Sequence, residues 1–226
     1  MTALVDRAIV GLDRAQAIIT SLLRIGEIEG GQRRAAFGSV DLNEIAAVAA
    51  ELYAPMAEEK RIHLILQADT TASVNGDRDL LIEAIANLID NAIKFAPAGG
   101  EVGLAVADTP AGPVIRVTDS GPGIPPAERA AVMKRFYRVD KSRHIQGSGL
   151  GLSIVLAIMT LHDFDITVAD TAPGRDPPGC LFEIRCSSAN RGAINVPPVP
   201  TVKQMKWPLR RWRRPRRDDG KITVGL

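Results

Sequence analysis

Cysteine is scarce in these 226 residues: there are two, Cys180 and Cys186. Their segment reads as a strand, where six positions put both on one face about 20 Å apart. No disulfide spans that gap, and the spacing matches no metal-ligand pattern. Both read as small buried hydrophobes in a reducing compartment. Histidine is nearly as scarce, with only His63, His144 and His162. No apolar run approaches the ~20 residues of a membrane span, which excludes a spanning helix. Asp6, Arg7, Asp13 and Arg14 interrupt the apolar positions near the start, which excludes a signal peptide. There are no internal repeats.

What is present suffices for one substantial domain plus a small appendage. Net charge is close to neutral, at +2, but unevenly spread. Much of the positive excess lies between Lys203 and Arg217, so the folded part is roughly neutral to acidic.

Residues 3–29 read as one amphipathic helix. Val5, Ile9, Leu12, Ile19, Leu23 and Gly26 recur at four- and three-residue steps, with Gln16 the one polar member. Such a helix needs a partner helix or its own domain to cover its stripe. Gly30-Gly31 ends it. Ala36 to Val40 reads as a short strand. Asp41 reads as an N-cap, with Glu44 completing a capping box, for a helix reaching about Lys60. Residues 61–68 alternate as a half-buried strand, with His63 on the polar phase. Asp77 starts the next helix, which runs to Phe95 and stops at Ala96-Pro97-Ala98-Gly99-Gly100. Glu101–Ala107 and Val114–Thr118 read as antiparallel strands. Residues 125–148 are polar, basic and aperiodic, the mark of a functional lid. Leu150–Leu161 reads as a helix, and Asp165–Ala169 with Cys180–Cys186 as a closing hairpin. The organisation expected is a helix over 1–31, a domain over 32–188 and a disordered tail over 189–226, Pro-rich and then basic, holding Trp207 and Trp212.

Four short blocks carry the chemistry. In Asn87-Leu88-Ile89-Asp90-Asn91-Ala92-Ile93-Lys94-Phe95, the two Asn and Lys94 share one helix face. Carboxamide oxygens are fit ligands for Mg2+, and a lysine can neutralise phosphate. Taken alone, the block reads better as a solvated face, because polar helix faces are common. In Asp119-Ser120-Gly121-Pro122-Gly123-Ile124, a carboxylate at a strand end can accept from the exocyclic amine of adenine. Glycines there let the backbone approach the base. Next comes Arg135-Phe136-Tyr137-Arg138 in the lid. Last is Gly147-Ser148-Gly149-Leu150-Gly151-Leu152, opening a helix whose N–H groups can converge on phosphate. It is neither a dinucleotide fingerprint, since Leu152 stands where Gly is needed, nor a P-loop, since Lys-Ser/Thr is absent.

In this order the blocks resemble the N, G1, F and G2 boxes of the ATP-binding catalytic domain of sensor histidine kinases, within the superfamily shared with DNA gyrase. The resemblance covers about residues 1–188. It implies a Bergerat-type α/β (α+β) two-layer sandwich: a mixed β-sheet backed by helices, preceded by one long bundle helix. It also implies ATP and Mg2+ as cofactors. Asn91 would hold Mg2+, assisted by Asn87. Lys94 and Phe95 would line the nucleotide, and Asp119 would read adenine. Gly121, Gly123, Ile124, Gly147, Ser148, Gly149, Leu150, Gly151 and Leu152 would shape the pocket. Phe136 and Tyr137 would fasten the lid. Arg138, Lys141 and Arg143 would contact phosphate, with Asn87, Lys94 and Arg138 as the catalytic set. Catalysis would rest on positioning and charge stabilisation of γ-phosphoryl transfer.

The implied partners are a response regulator, a His-bearing phosphoacceptor helix or kinase partner, and a second helix for bundle dimerisation. The implied location is cytoplasmic, in association with a membrane sensor. No nucleic acid is expected. Residues 3–29 resemble the second helix of the family's dimerisation and phosphotransfer hairpin. None of the three His lies on a bundle helix beside a carboxylate, so the γ-phosphoryl is expected to go to a His on another chain. The alternatives are a non-catalytic, ATP-dependent interaction module and an anti-sigma-factor-type serine kinase, which usually lacks the preceding helix. A gyrase-like ATPase would carry Glu where this chain has Asn87.

Overall fold

A computed structural model describes residues 2–30, 32–68, 72–137 and 149–186, and the pairs 217–218 and 221–222. Helix α1 spans Thr2–Glu29. A 3-10 turn, Gln32–Ala36, leads to strand β1, Gly38–Asp41. The strand expected from Ala36 therefore starts two residues later. Helix α2 is Leu42–Glu59 and strand β2 is His63–Gln67. Strand β3 is Ser73–Gly76, and helix α3 is Arg78–Phe95. Strands β4, Glu101–Thr109, and β5, Gly112–Asp119, form a hairpin. Helix α4 is Gly151–His162. Strands β6, Asp165–Ala169, and β7, Leu181–Arg185, follow.

The main sheet has the order β2-β4-β5-β7-β6. Only the β2–β4 pair is parallel. Alternation along the strands turns Leu104, Val106, Ile115, Val117, Phe182 and Ile184 toward the helices, and all are buried. The register aligns Leu104 with Val117 and Val117 with Phe182, so the apolar row crosses three strands. Against it α2 and α3 contribute Ile45, Ala49, Leu81, Ile85 and Ile89, each at most 2% exposed. Helix α4 continues the core with Val155, Ile158 and Met159. This is the mixed sheet backed by helices that the sequence leads one to expect.

Two caps fix where the helices begin. Asp41 accepts from Asn43 N at 2.8 Å, and the Glu44 carboxylate is taken by Arg78 at 2.7 Å rather than closing the expected capping box. Asp77 Oδ1 accepts from Asp79 N and Leu80 N, satisfying two of the free N–H groups that open α3. Asp77 N in turn donates to Nε2 of His162 at 2.9 Å, while Nδ1 of His162 faces Ile158 O at 2.8 Å. A carbonyl opposite Nδ1 places the ring proton there and leaves Nε2 as the acceptor. The imidazole stacks on Phe37 at 4.6 Å and is buried, which lowers its pKa. His162 therefore buckles the end of α4 to the start of α3, a structural role in line with its placement at a helix end.

Helix α1 is two-sided. Leu12, Ile19 and Leu23 of the expected stripe are 70%, 59% and 65% exposed. Ile25 and Ile28, off that stripe, are buried in the domain core. Arg24 reaches Glu83 of α3 at 2.7 Å, and Arg135 pairs with Glu29. The second half of α1 thus docks on α3 and α4, and Leu12, Ile19 and Leu23 face away. In the region read as a tail, Arg217–Asp218 pairs antiparallel with Lys221–Ile222, where no regular structure was expected. The rest of that region, with Trp207 and Trp212, lies outside the described residues.

Candidate functional site

Three elements converge on one end of the domain. Helix α3 brings Asn87 and Asn91 on successive turns. The Asn87 amide nitrogen donates to Glu83 O at 2.9 Å, which turns its Oδ1 outward from the helix. A methyl group placed on Gly151 would sit 3.0 Å from that oxygen and 3.9 Å from Asn91 Nδ2. Both carboxamides therefore lie against the opening turn of α4. A side chain at position 151 would fill the space between them. Among the described residues the Asn91 carboxamide has no hydrogen-bond partner.

Strand β5 delivers Asp119, which is buried. Its Oδ1 accepts from Gly121 N at 2.7 Å and Cys180 N at 3.2 Å. No described residue donates to Oδ2. Burial pushes this carboxyl up to about 6, against the two backbone N–H groups that pull it down. Gly121 is needed for a close approach: a Cβ there would meet Phe95 O at 2.7 Å and Asp119 Oδ1 at 2.9 Å. Helix α3 and the Asp119 turn thus touch backbone to backbone.

Sequence reasoning missed the loop between β6 and β7 that backs this turn. Gly179 has φ +68, and a Cβ there would lie 2.2 Å from Asp119 O. Thr171 Oγ1 donates to Asp119 O at 3.1 Å, and Gly179 N to Gly121 O at 3.0 Å. The available signal was Pro177-Pro178-Gly179, which marks a turn without saying what it abuts. Cys180 and Cys186 are free and buried, as expected. Burial raises both thiols, Cys186 to about 12, so neither is a nucleophile.

The lid begins after Gly123 and Ile124. Arg129 donates to Ile124 O at 3.0 Å and pairs with Asp170. Tyr137 Oη donates to Glu128 at 3.1 Å. Phe136 is half exposed, at φ +62, with its N–H donating to Gly149 O at 3.2 Å. That bond ties the lid to the start of α4. Leu150 is fully buried and Leu152 partly so, anchoring the turn that lies against the two carboxamides. Arg138, Lys141, Arg143, Gly147 and Ser148 lie outside the described residues. Lys94 is not turned to the Asn pair in this structure: its ammonium is bound by Asp90 one turn earlier. A cavity of about 610 Å³ lies elsewhere, between the end of α1, the lid and α4, lined by Ile28, Met133, Arg135 and Leu156. It contains neither Asp119 nor the Asn pair.

These residues fit a Mg-nucleotide. A buried carboxylate keeps one oxygen for an amine donor, and the neutral carboxamides of Asn87 and Asn91 lie against a helix N-terminus suited to phosphate. Among the described residues no cluster of three His, Cys, Asp or Glu could hold a metal by itself. A cation here would depend on the carboxamides, phosphate and water.

Residues 76–190 match the family model described as histidine kinase-, DNA gyrase B- and HSP90-like ATPase, half of the chain. The chain belongs to this family. It is 42% identical over 133 residues to the signal transduction histidine-protein kinase/phosphatase MprB of Mycobacterium sp. strain KMS, covering 58% of this chain and 26% of that protein. It therefore spans about a quarter of the length of the curated relatives it matches. Among solved structures, the mycobacterial sensor histidine kinase MprB superposes with a TM-score of 0.58 at 34% identity, over 66% of this chain and 95% of that one. The catalytic domain of histidine kinase ThkA gives a TM-score of 0.59 at 25% identity, over 67% and 95%.

Proposed function

We propose that this member of the family is the ATP-binding catalytic module of a two-component sensor histidine kinase. It would hold Mg-ATP between α3, the Asp119 turn and the start of α4. The observation that carries the reading is Asp119. Backbone N–H groups hold its Oδ1, so Oδ2 remains to accept the exocyclic amine of adenine, and no guanine amine sits in that place. When bound, Mg-ATP supplies the γ-phosphoryl group and the cation that neutralises its charge. Asn91 and Asn87 orient carboxamide oxygens toward that cation. The opening N–H groups of α4 receive phosphate oxygens. Phe136 and Tyr137 fasten the lid, Arg138, Lys141 and Arg143 add positive charge, and Lys94 joins them on release from Asp90.

Hydrolysis is disfavoured. A water-activating base one turn before Asn91 would have to be residue 87, and Asn87 cannot take a proton. Glu83, a turn further back, is held by Arg24. The phosphoryl acceptor is a histidine outside these 226 residues. His162 has both ring nitrogens engaged in the core, His63 is an exposed residue of the edge strand β2, and His144 belongs to the stretch 125–148 that the sequence reads as the lid rather than to a bundle helix. The response regulator then takes the group from that histidine. Among the described residues no helix is long and apolar enough to cross a membrane. We place the module in the cytoplasm.

The test is incubation of the chain with γ-labelled ATP and Mg2+, alone and with a hairpin fragment bearing the acceptor histidine of an MprB-type kinase. Acid-labile label should appear on the fragment only. Label on His63, His144 or His162 of the chain, or free phosphate released at a rate of turnover, would refute the reading.

A further inference from the structure

The last turn of α3 ends in a way that the helix cannot satisfy alone. Ile93 O should accept from the N–H of residue 97, but residue 97 is Pro and has none. Lys94 O should accept from Ala98, but the backbone leaves the helix at Ala96, with φ −62 and ψ 141. The last hydrogen bond of the helical pattern is Ala96 N to Ala92 O. Both open carbonyls are capped instead by one side chain from another element. Lys60 Nζ donates to Ile93 O at 2.7 Å and to Lys94 O at 2.8 Å. Lys60 itself is fixed as the C-cap of α2, with its N–H bonded to Met56 O and Glu58 O. A cation at a helix C-terminus also meets the negative end of the helix dipole. Burial lowers the lysine pKa, the mark of an ammonium drawn in from solvent.

The next carbonyl, Phe95 O, is the one that abuts Gly121. Gly121 N holds Asp119 Oδ1. From this geometry we infer that Lys60 is a positioning residue for nucleotide recognition. It pins the end of α3 and so sets the separation between the helix that carries Asn87 and Asn91 and the turn that aims Asp119. It touches no part of the nucleotide site directly. The inference rests on the proposed function and adds a residue that none of the four sequence blocks contains.

The experiment titrates the full chain with Mg-ADP and Mg-GDP by calorimetry, with a thermal melt of each variant. Wild type must bind Mg-ADP selectively; if it does not, the proposed function has failed and Lys60 has not been judged. Given binding, Lys60→Met should stay folded, weaken Mg-ADP on the order of tenfold and narrow the ADP-over-GDP preference, since misplacement of the Asp119 turn strikes adenine reading first. Lys60→Arg should restore most of both. Pro97→Ala in the Lys60→Met background lifts the proline's bar on helical backbone at Ala96, so that the helix can add a turn whose N–H groups reach Ile93 O, and should recover part of the selectivity. Unchanged affinity and selectivity in Lys60→Met would overturn the inference. A lowered melt with intact selectivity would do so too, because it would make Lys60 a structural cap only. Where Lys60→Met alone is too unstable to titrate, the double variant decides. Recovered folding with recovered selectivity supports the role, and recovered folding at wild-type stability without selectivity refutes it.

Discussion

Asp119 shows how one residue sets stability and recognition against each other. Its pKa is raised in the folded state, from 3.8 to about 6. A raised carboxyl contributes stability that is full below the unfolded value and lost as pH rises through the folded one. At neutral pH the nucleotide-free protein thus carries a burden of at most about 3 kcal/mol from this group. Asp119→Asn should raise the melting temperature of the nucleotide-free protein at pH 7.5 while removing adenine binding. The asparagine oxygen can still accept from Gly121 and Cys180, which leaves its amide to face a donor with a donor. In wild type, ADP affinity measured by calorimetry should fall as pH drops through about 6, when the free oxygen takes a proton. His162 works with the opposite sign. Its depressed pKa contributes stability present above the ordinary imidazole range and lost as pH falls through the lower folded value. His162→Ala should cost about 2–4 kcal/mol at pH 7.5, and the gap from wild type should narrow at pH 5, by urea denaturation. Asp119 was singled out by the order of the four blocks, since a carboxylate between a strand and two glycines is by itself an ordinary turn. The partner of His162 could not, because Asp77 lies 85 positions earlier and only the fold brings them together.

Among the elements, α1 was the least legible. Its repeating stripe is plain in the sequence, and the structure leaves its members Leu12, Ile19 and Leu23 exposed. Among the described residues the face that docks consists of Ile18, Ile25 and Ile28, too short a signal to stand out beside a longer one. Ile28→Ala should cost about 2–4 kcal/mol in an equilibrium melt, as a buried side chain with no space to collapse into. Leu23→Ala should change the same melt by less than about 0.5 kcal/mol at protein concentrations where the chain is monomeric. Helices α2, α3 and α4 were readable almost to the residue, because Asp41, Asp77 and the Gly149–Gly151 turn are strong local start signals. The β1–β3 ribbon was not. It pairs Val40 with Val74 across a whole helix and strand, a contact that local pattern does not encode.

At the scale of the molecule, the four ordered blocks were enough to announce the fold, since each needs the others to make a pocket. The ion pairs that join α1 to that pocket were hidden. Arg24 meets Glu83 next to Asn87, and Arg135 of the lid meets Glu29. They link the exposed helix both to the Asn-bearing helix and to the lid. The central claim remains that Mg-ATP sits between α3 and the Asp119 turn. Calorimetric titration of the full chain with ATP and Mg2+, beside Asp119→Asn, tests it most directly. The account predicts one saturable site in wild type and none in the variant, with both proteins folded by their melts. Equal binding by the two, or no binding by folded wild type, would contradict it.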